Sequence, residues 1–156
     1  MKLRNLSETA RTLENLKLAV IECPYDSWDD SFTTEMFIKT TSLKINGYKK
    51  EYPYGVLPID TSDFVGTHLL VCVPDGTSLR PIIGYRSITA DRCKTHSLTF
   101  PPLGLARTSN APEHAKAIEN ILSRCEREKK QIAYLSSITI DPIVRQNREL
   151  VLKLWE

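Results

Sequence analysis

The stretch "THLLVCVPDGTSLRPIIGYRSIT", Thr67 to Thr89, decides the fold. Two apolar runs flank Asp75-Gly76, and an aspartate-glycine pair favours the left-handed backbone that a tight turn needs. The stretch therefore reads as a β-hairpin with strands over 67–73 and 81–89. Immediately before it stands "DTSDFVG", residues 60–66, where Asp60 and Asp63 lie three apart at the mouth of the first strand.

Towards the N-terminus, "EYPYGVLPID" (51–60) is a loop rich in proline and aromatic residues. It is preceded by a segment in which Phe32, Met36, Phe37, Leu43 and Ile45 recur at nearly helical spacing. Asp29, Asp30 and Ser31 can cap its start, which predicts a helix over about 31–50. Further back, "LKLAVIEC" (16–23) is a short apolar and β-branched run closed by Pro24, and reads as a strand.

Towards the C-terminus, residues 90–112 hold Pro101, Pro102, Gly104 and Pro112 without a clear period, and read as an irregular functional segment. A helix follows over 111–130, with Ala117, Ile118, Ile121, Leu122 and Cys125 as its apolar stripe. The run "QIAYLSSITID" (131–141) reads as a strand. From Pro142 a last helix presents Leu150, Val151, Leu154 and Trp155.

Strand, helix, hairpin, helix, strand and helix in that order predict an α/β (α+β) fold with a mixed, mainly antiparallel sheet flanked by helices. A chain of 156 residues is one domain's worth, and 41% apolar with 26% charged residues is ordinary globular composition. The net charge of +2 and the interleaved acids of Arg124 to Lys130 give no nucleic-acid stripe. No run reaches the roughly 20 apolar residues of a membrane span, and the polar N-terminus lacks a secretory core, so a cytoplasmic protein is expected. Cys23, Cys72, Cys93 and Cys125 are too scattered for a metal site and are expected to be reduced thiols. His68 and His96 belong to no triad or ligand pattern.

The pattern Asp60-x-x-Asp63-x-x-x-Thr67-x-Leu69-Leu70-Val71, then Gly76 in a turn, Gly84 and Arg86, then the strand "AYLSSITIDP" (133–142), resembles the GNAT acyltransferase superfamily. Within it the pattern is similar to the acyl-homoserine-lactone synthases and the long-chain N-acyl amino acid synthases. The resemblance implies an N-acyltransferase whose donor is an acyl-CoA or acyl carrier protein thioester and whose acceptor is a small amine, with no metal. Where the lactone synthases carry a glutamate and an arginine on the central strand, Tyr134 and Ser137 stand here. Where acetyltransferases cradle a pyrophosphate, Arg145 and Arg148 stand, which suits the single phosphate of a carrier protein. Superfamily domains continue with a further strand and helix, so a fragment, a homo-oligomer or a chain completed by a partner is also expected. The alternative is a non-catalytic GNAT-like binding or assembly module completed by such a partner.

Acyl transfer to an amine needs a group to hold and deprotonate the amine and a donor for the developing oxyanion. Asp60, Asp63 and Glu51 are the candidates for the first task, and Tyr134 for protonating the thiolate. The backbone of Leu135, Ser136, Ser137 and Ile138 is the candidate to pair with the pantetheine arm. In a regular strand Leu135, Ser137 and Thr139 share one face and Ser136, Ile138 and Ile140 the other. Arg145 and Arg148 are candidates for phosphate contact, and Arg86 for a structural ion pair with the aspartates. Each has a plainer reading: Asp60 and Asp63 as turn caps, the two later arginines as surface charges, Tyr134 as a core aromatic.

Overall fold

The computed structural model describes residues 14–49, 52 and 59–153. The chain divides into two compact units, one of Met1–Arg86 with Ser137–Glu156 and one of Ser87–Ser136. It is a mixed α+β protein whose four strands lie in the order β1-β2-β3-β4: β1 Lys17–Glu22, β2 Thr67–Asp75, β3 Ser78–Thr89 and β4 Ala133–Ile140. The helices are α1 Ser31–Lys49, α2 Thr61–Val65, α3 Ala90–Thr95, α4 Pro101–Thr108, α5 Pro112–Arg127, α6 Pro142–Arg145 and α7 Arg148–Lys153. No helix among the described residues is long and apolar enough to cross a membrane.

The hairpin is tighter than expected. Its strands run to Asp75 and from Ser78, so Gly76 and Thr77 alone make the turn. Gly76 has φ +60 and Thr77 is not left-handed, the φ pattern of a II′ turn. Strand β1 pairs antiparallel with β2, Ala19 opposite Leu70 and Ile21 opposite His68. These four residues are buried, whereas Leu18 and Val20 on the other face of β1 are exposed.

In the first unit, α1 packs on that buried face. Ala19, Ile21, Leu70 and Cys72 join Met36 and Phe37 in one core cluster. Helix α1 begins with the Asp30 carboxylate accepting from the Thr33 N–H at 2.7 Å. Gly47 does not break it. A Cβ there would lie 2.7 Å from Thr139 Cγ2, so the glycine lets the helix pass close to β4. A second cluster gathers Val73, Ile82 and Ile83 with Val144 of α6 and Leu150 of α7.

Three expectations are corrected. The segment 90–112 is not irregular: it holds α3 and α4. Thr89 caps α3 by accepting from the Arg92 N–H, and Pro101 and Pro102 occupy the first turn of α4, where a missing N–H costs nothing. The last helix is two short ones, because Asn147 leaves the helical run and its side chain caps the next by accepting from the Leu150 N–H. Helix α5 is also turned relative to the expected stripe. Ala115 is buried, Ile118, Leu122 and Cys125 are half-buried, and Ala117 and Ile121 are exposed.

The helices of the second unit end alike. Ser97, Asn110 and Lys129 each sit in the left-handed region, at φ 54, 52 and 53. The next amide in each case returns to the helix: Leu98 to the Cys93 carbonyl, Ala111 to Ala106, Lys130 to Cys125, all within 2.8–2.9 Å. These are Schellman ends built without glycine. A left-handed non-glycine residue is strained, so Lys129→Gly is expected to stabilise the protein by about 0.5–1 kcal/mol after the entropy of glycine is discounted. Urea unfolding of the two proteins checks it, and no gain would remove the strain argument.

Candidate functional site

The most concentrated charge in the first unit is assembled at the entrance to β2. Asp60 is extended, at φ −136 and ψ 178, and its carboxylate accepts from the Ser62 N–H at 2.7 Å. Asp63 reaches back, its Oδ2 accepting from the Asp60 N–H at 2.9 Å. Two aspartates three apart thus form a reciprocal capping box that starts α2.

The same carboxylates meet two cations. Arg86 on β3 donates from Nη1 to Asp60 Oδ1 at 2.8 Å and lies 2.9 Å from Asp63 Oδ2. Lys44, on the inner face of α1, donates to Asp63 Oδ1 at 2.5 Å. The His68 Nε2–H donates to the Asp63 carbonyl at 2.7 Å, which fixes the ring's tautomer, and the ring stands edge-on to Phe37. The side chain of Asp63 is 2% exposed and that of Asp60 62%, so only Asp60 offers a carboxylate to solvent.

Burial sets the protonation of this cluster. It pushes the Lys44 ammonium below its ordinary value, against the opposing pull of Asp63. It likewise pushes the His68 imidazole down, opposed by the hydrogen bond to the Asp63 carbonyl. For Asp60 burial acts upward, but the charge and hydrogen bond of Arg86 and the Ser62 amide outweigh it and hold the carboxyl below the usual range. Cys72, inside the core, has its thiol pushed up to about 11 by burial.

An aromatic group adjoins the cluster. Phe64, one turn along α2 from Asp60, lies 4.9 Å from Phe37 and 6.4 Å from Trp28, and Trp28 meets Phe37 edge-on at 5.7 Å. Trp28 and Phe64 remain partly exposed. An exposed carboxylate beside accessible aromatic rings is a chemistry suited to a cationic amine.

Strand β4 carries the other feature. Ser137 has φ 54 in mid-strand, a position rarely left-handed for a residue with a side chain. The exposure pattern slips by one across it: Leu135 and Ile138 are both exposed, three apart rather than two. The expected alternation of Leu135, Ser137 and Thr139 on one face is therefore wrong, because a bulge at Ser136–Ser137 shifts the face.

Of the residues singled out from sequence, Asp60, Asp63 and Arg86 come together. Glu51 lies outside the described residues. Tyr134, Leu135 and Ser136 belong to the second unit, where Tyr134 is half-buried and edge-on to Phe100 at 6.5 Å; Ser137 and Ile138 belong to the first. Arg145 ends α6 and Arg148 begins α7, both exposed, so they do not share one helical N-terminus. Lys44 and His68 enter the cluster unannounced. Their signal is periodicity: Met36, Phe37, Thr40, Lys44 and Gly47 form one buried helical stripe, and His68, Leu70 and Cys72 one buried strand face. Set against protein-family models, curated proteins and solved structures, the chain matches none of them.

His68 gives the cluster a pH signature. Its folded value lies below its unfolded value of about 6.5, so only the unfolded chain takes up the proton in the interval between them. The contribution of His68 to stability is expected to be flat above about pH 7 and to fall as pH drops through about 6.5. His68→Gln should flatten the slope between pH 7 and about 5.5. An unchanged slope in chemical denaturation at stepped pH would contradict the assignment.

Proposed function

We propose that the chain is an N-acyltransferase that moves an acyl group from an acyl thioester, on coenzyme A or an acyl carrier protein, to a small amine. The observation that carries this reading is the left-handed Ser137 in mid-β4. A bulge turns a backbone N–H away from the regular ladder, and such a donor can face a thioester carbonyl as it becomes an oxyanion. Strand β4 ends the order β1-β2-β3-β4, so its outer edge faces no strand among the described residues and can pair with the pantetheine arm. The motif likeness to GNAT acyltransferases points the same way.

In this reading Asp60 and the neighbouring aromatic rings hold the amine. The neutral amine attacks the carbonyl carbon, the N–C bond forms and the C–S bond breaks. The amine's proton leaves to the Asp60 carboxylate or to water, and the thiolate leaves with a proton from solvent. Asp63 is a positioning residue, because its side chain is 2% exposed and its oxygens are taken by Lys44, Arg86 and the Asp60 amide. Arg145 and Arg148 are the cations for a donor phosphate. A non-catalytic assembly module is the second reading, favoured by Leu18 and Val20, exposed at 69% and 45% on edge strand β1.

The test is release of free thiol from a panel of acyl-CoA and acyl carrier protein donors with small amines. Asp60→Asn preserves the side-chain cap for Ser62 but not the charge. It should lower kcat/KM about 10²–10⁴-fold and cost less stability than the loss of the buried Asp63 charge, because Asp60 is 62% exposed. No release with any donor by the folded protein removes the catalytic reading in favour of the assembly one.

A further inference from the structure

The second unit holds a cleft of about 390 Å³ among α3, α4 and α5, whose lining includes none of the residues assigned above to acyl transfer. Phe100 and Leu103 are buried at its floor, while Leu98, Leu122 and Ile132 line it half-buried. Cys93 and Cys125 also line it, the first buried and the second half-buried. The rotation of α5 explains the opening: only Ala115 of that helix is buried, so the stripe through Leu122 and Cys125 faces space instead of a packed neighbour. Its size falls in the range of small-molecule sites, roughly 300–1,000 Å³.

Lys94, Arg107 and Lys130 line it with two carboxylates, Asp91 and Glu126, and two more, Glu119 and Glu128, stand beside these cations. Each cation pairs with an exposed glutamate: Lys94 with Glu126 at 3.0 Å, Arg107 with Glu119 at 2.8 Å, Lys130 with Glu128 at 2.7 Å. Exposed pairs of this kind contribute little, so an arriving anion can recruit these side chains at small cost. We propose that the cleft binds a small molecule with an apolar chain and a single anionic head, the chemistry of a medium-chain carboxylic acid.

Calorimetry of the full chain with hexanoate, octanoate and decanoate, and with decanol as the uncharged control, tests this. Affinity should rise about fourfold for each methylene until the cleft is full. Decanol should bind about tenfold more weakly than decanoate. Decanoate should slow maleimide alkylation of Cys125 in proportion to its occupancy. Leu122→Trp, which fills the cleft, should abolish binding. Lys130→Glu, at an exposed side chain that leaves the fold alone, should weaken binding about tenfold. Absence of saturable binding by any of the acids, or alkylation of Cys125 at the same rate with and without decanoate, overturns the site. Equal binding of decanol and decanoate, or no effect of Lys130→Glu, overturns the anionic head.

Discussion

The first unit depends on one carboxylate. Asp63 accepts from Lys44 of α1, from Arg86 of β3 and from the Asp60 amide at the start of α2, and its own carbonyl accepts from His68 of β2. Four elements thus meet at a residue 1% exposed. An ion in that position is costly unless it is paired and hydrogen-bonded, and two cations with one amide reach both of its oxygens. The second aspartate, at the rim, balances the second cation, so the cluster is neutral as a whole.

That constraint organises what surrounds it. Lys44 can reach Asp63 because α1 lies close to the sheet, and at Gly47 it does so because that residue carries no side chain: a Cβ there would stand 2.7 Å from Thr139 Cγ2. Phe37 fills the space between the cluster and the core, touching His68, Phe64 and Trp28. The buried charges fix the position of α2, and α2 in turn holds the exposed Asp60 and Phe64 where a cationic acceptor could meet them. Fold and proposed chemistry share this cluster, with Asp63 on the structural side and Asp60 on the solvent side.

Much of this was readable from sequence, for physical reasons. Asp75-Gly76 between two apolar runs has few conformations other than a hairpin, and the period of Met36, Phe37 and Leu43 has few other than a helix. The paired aspartates and Arg86 were likewise visible as charges beside buried strands. Features that depend on unusual residues in ordinary roles were hidden. Prolines at the first turn of α4 looked like loop residues, and left-handed Ser97, Asn110 and Lys129 closed helices where no glycine marked the end. Ser137 concealed a bulge for the same reason. Lys44 carries a charge on a face otherwise built of Met36, Phe37 and Thr40, and only its partner, 19 residues on in sequence, explains it.

The most direct measurement is equilibrium unfolding of Asp63→Asn beside the wild-type chain. The buried clamp predicts a loss of about 3–5 kcal/mol, because Lys44 and Arg86 keep their charge in an apolar setting with half their neutralisation gone. A loss below about 1 kcal/mol, the size expected of an exposed ion pair, would contradict it.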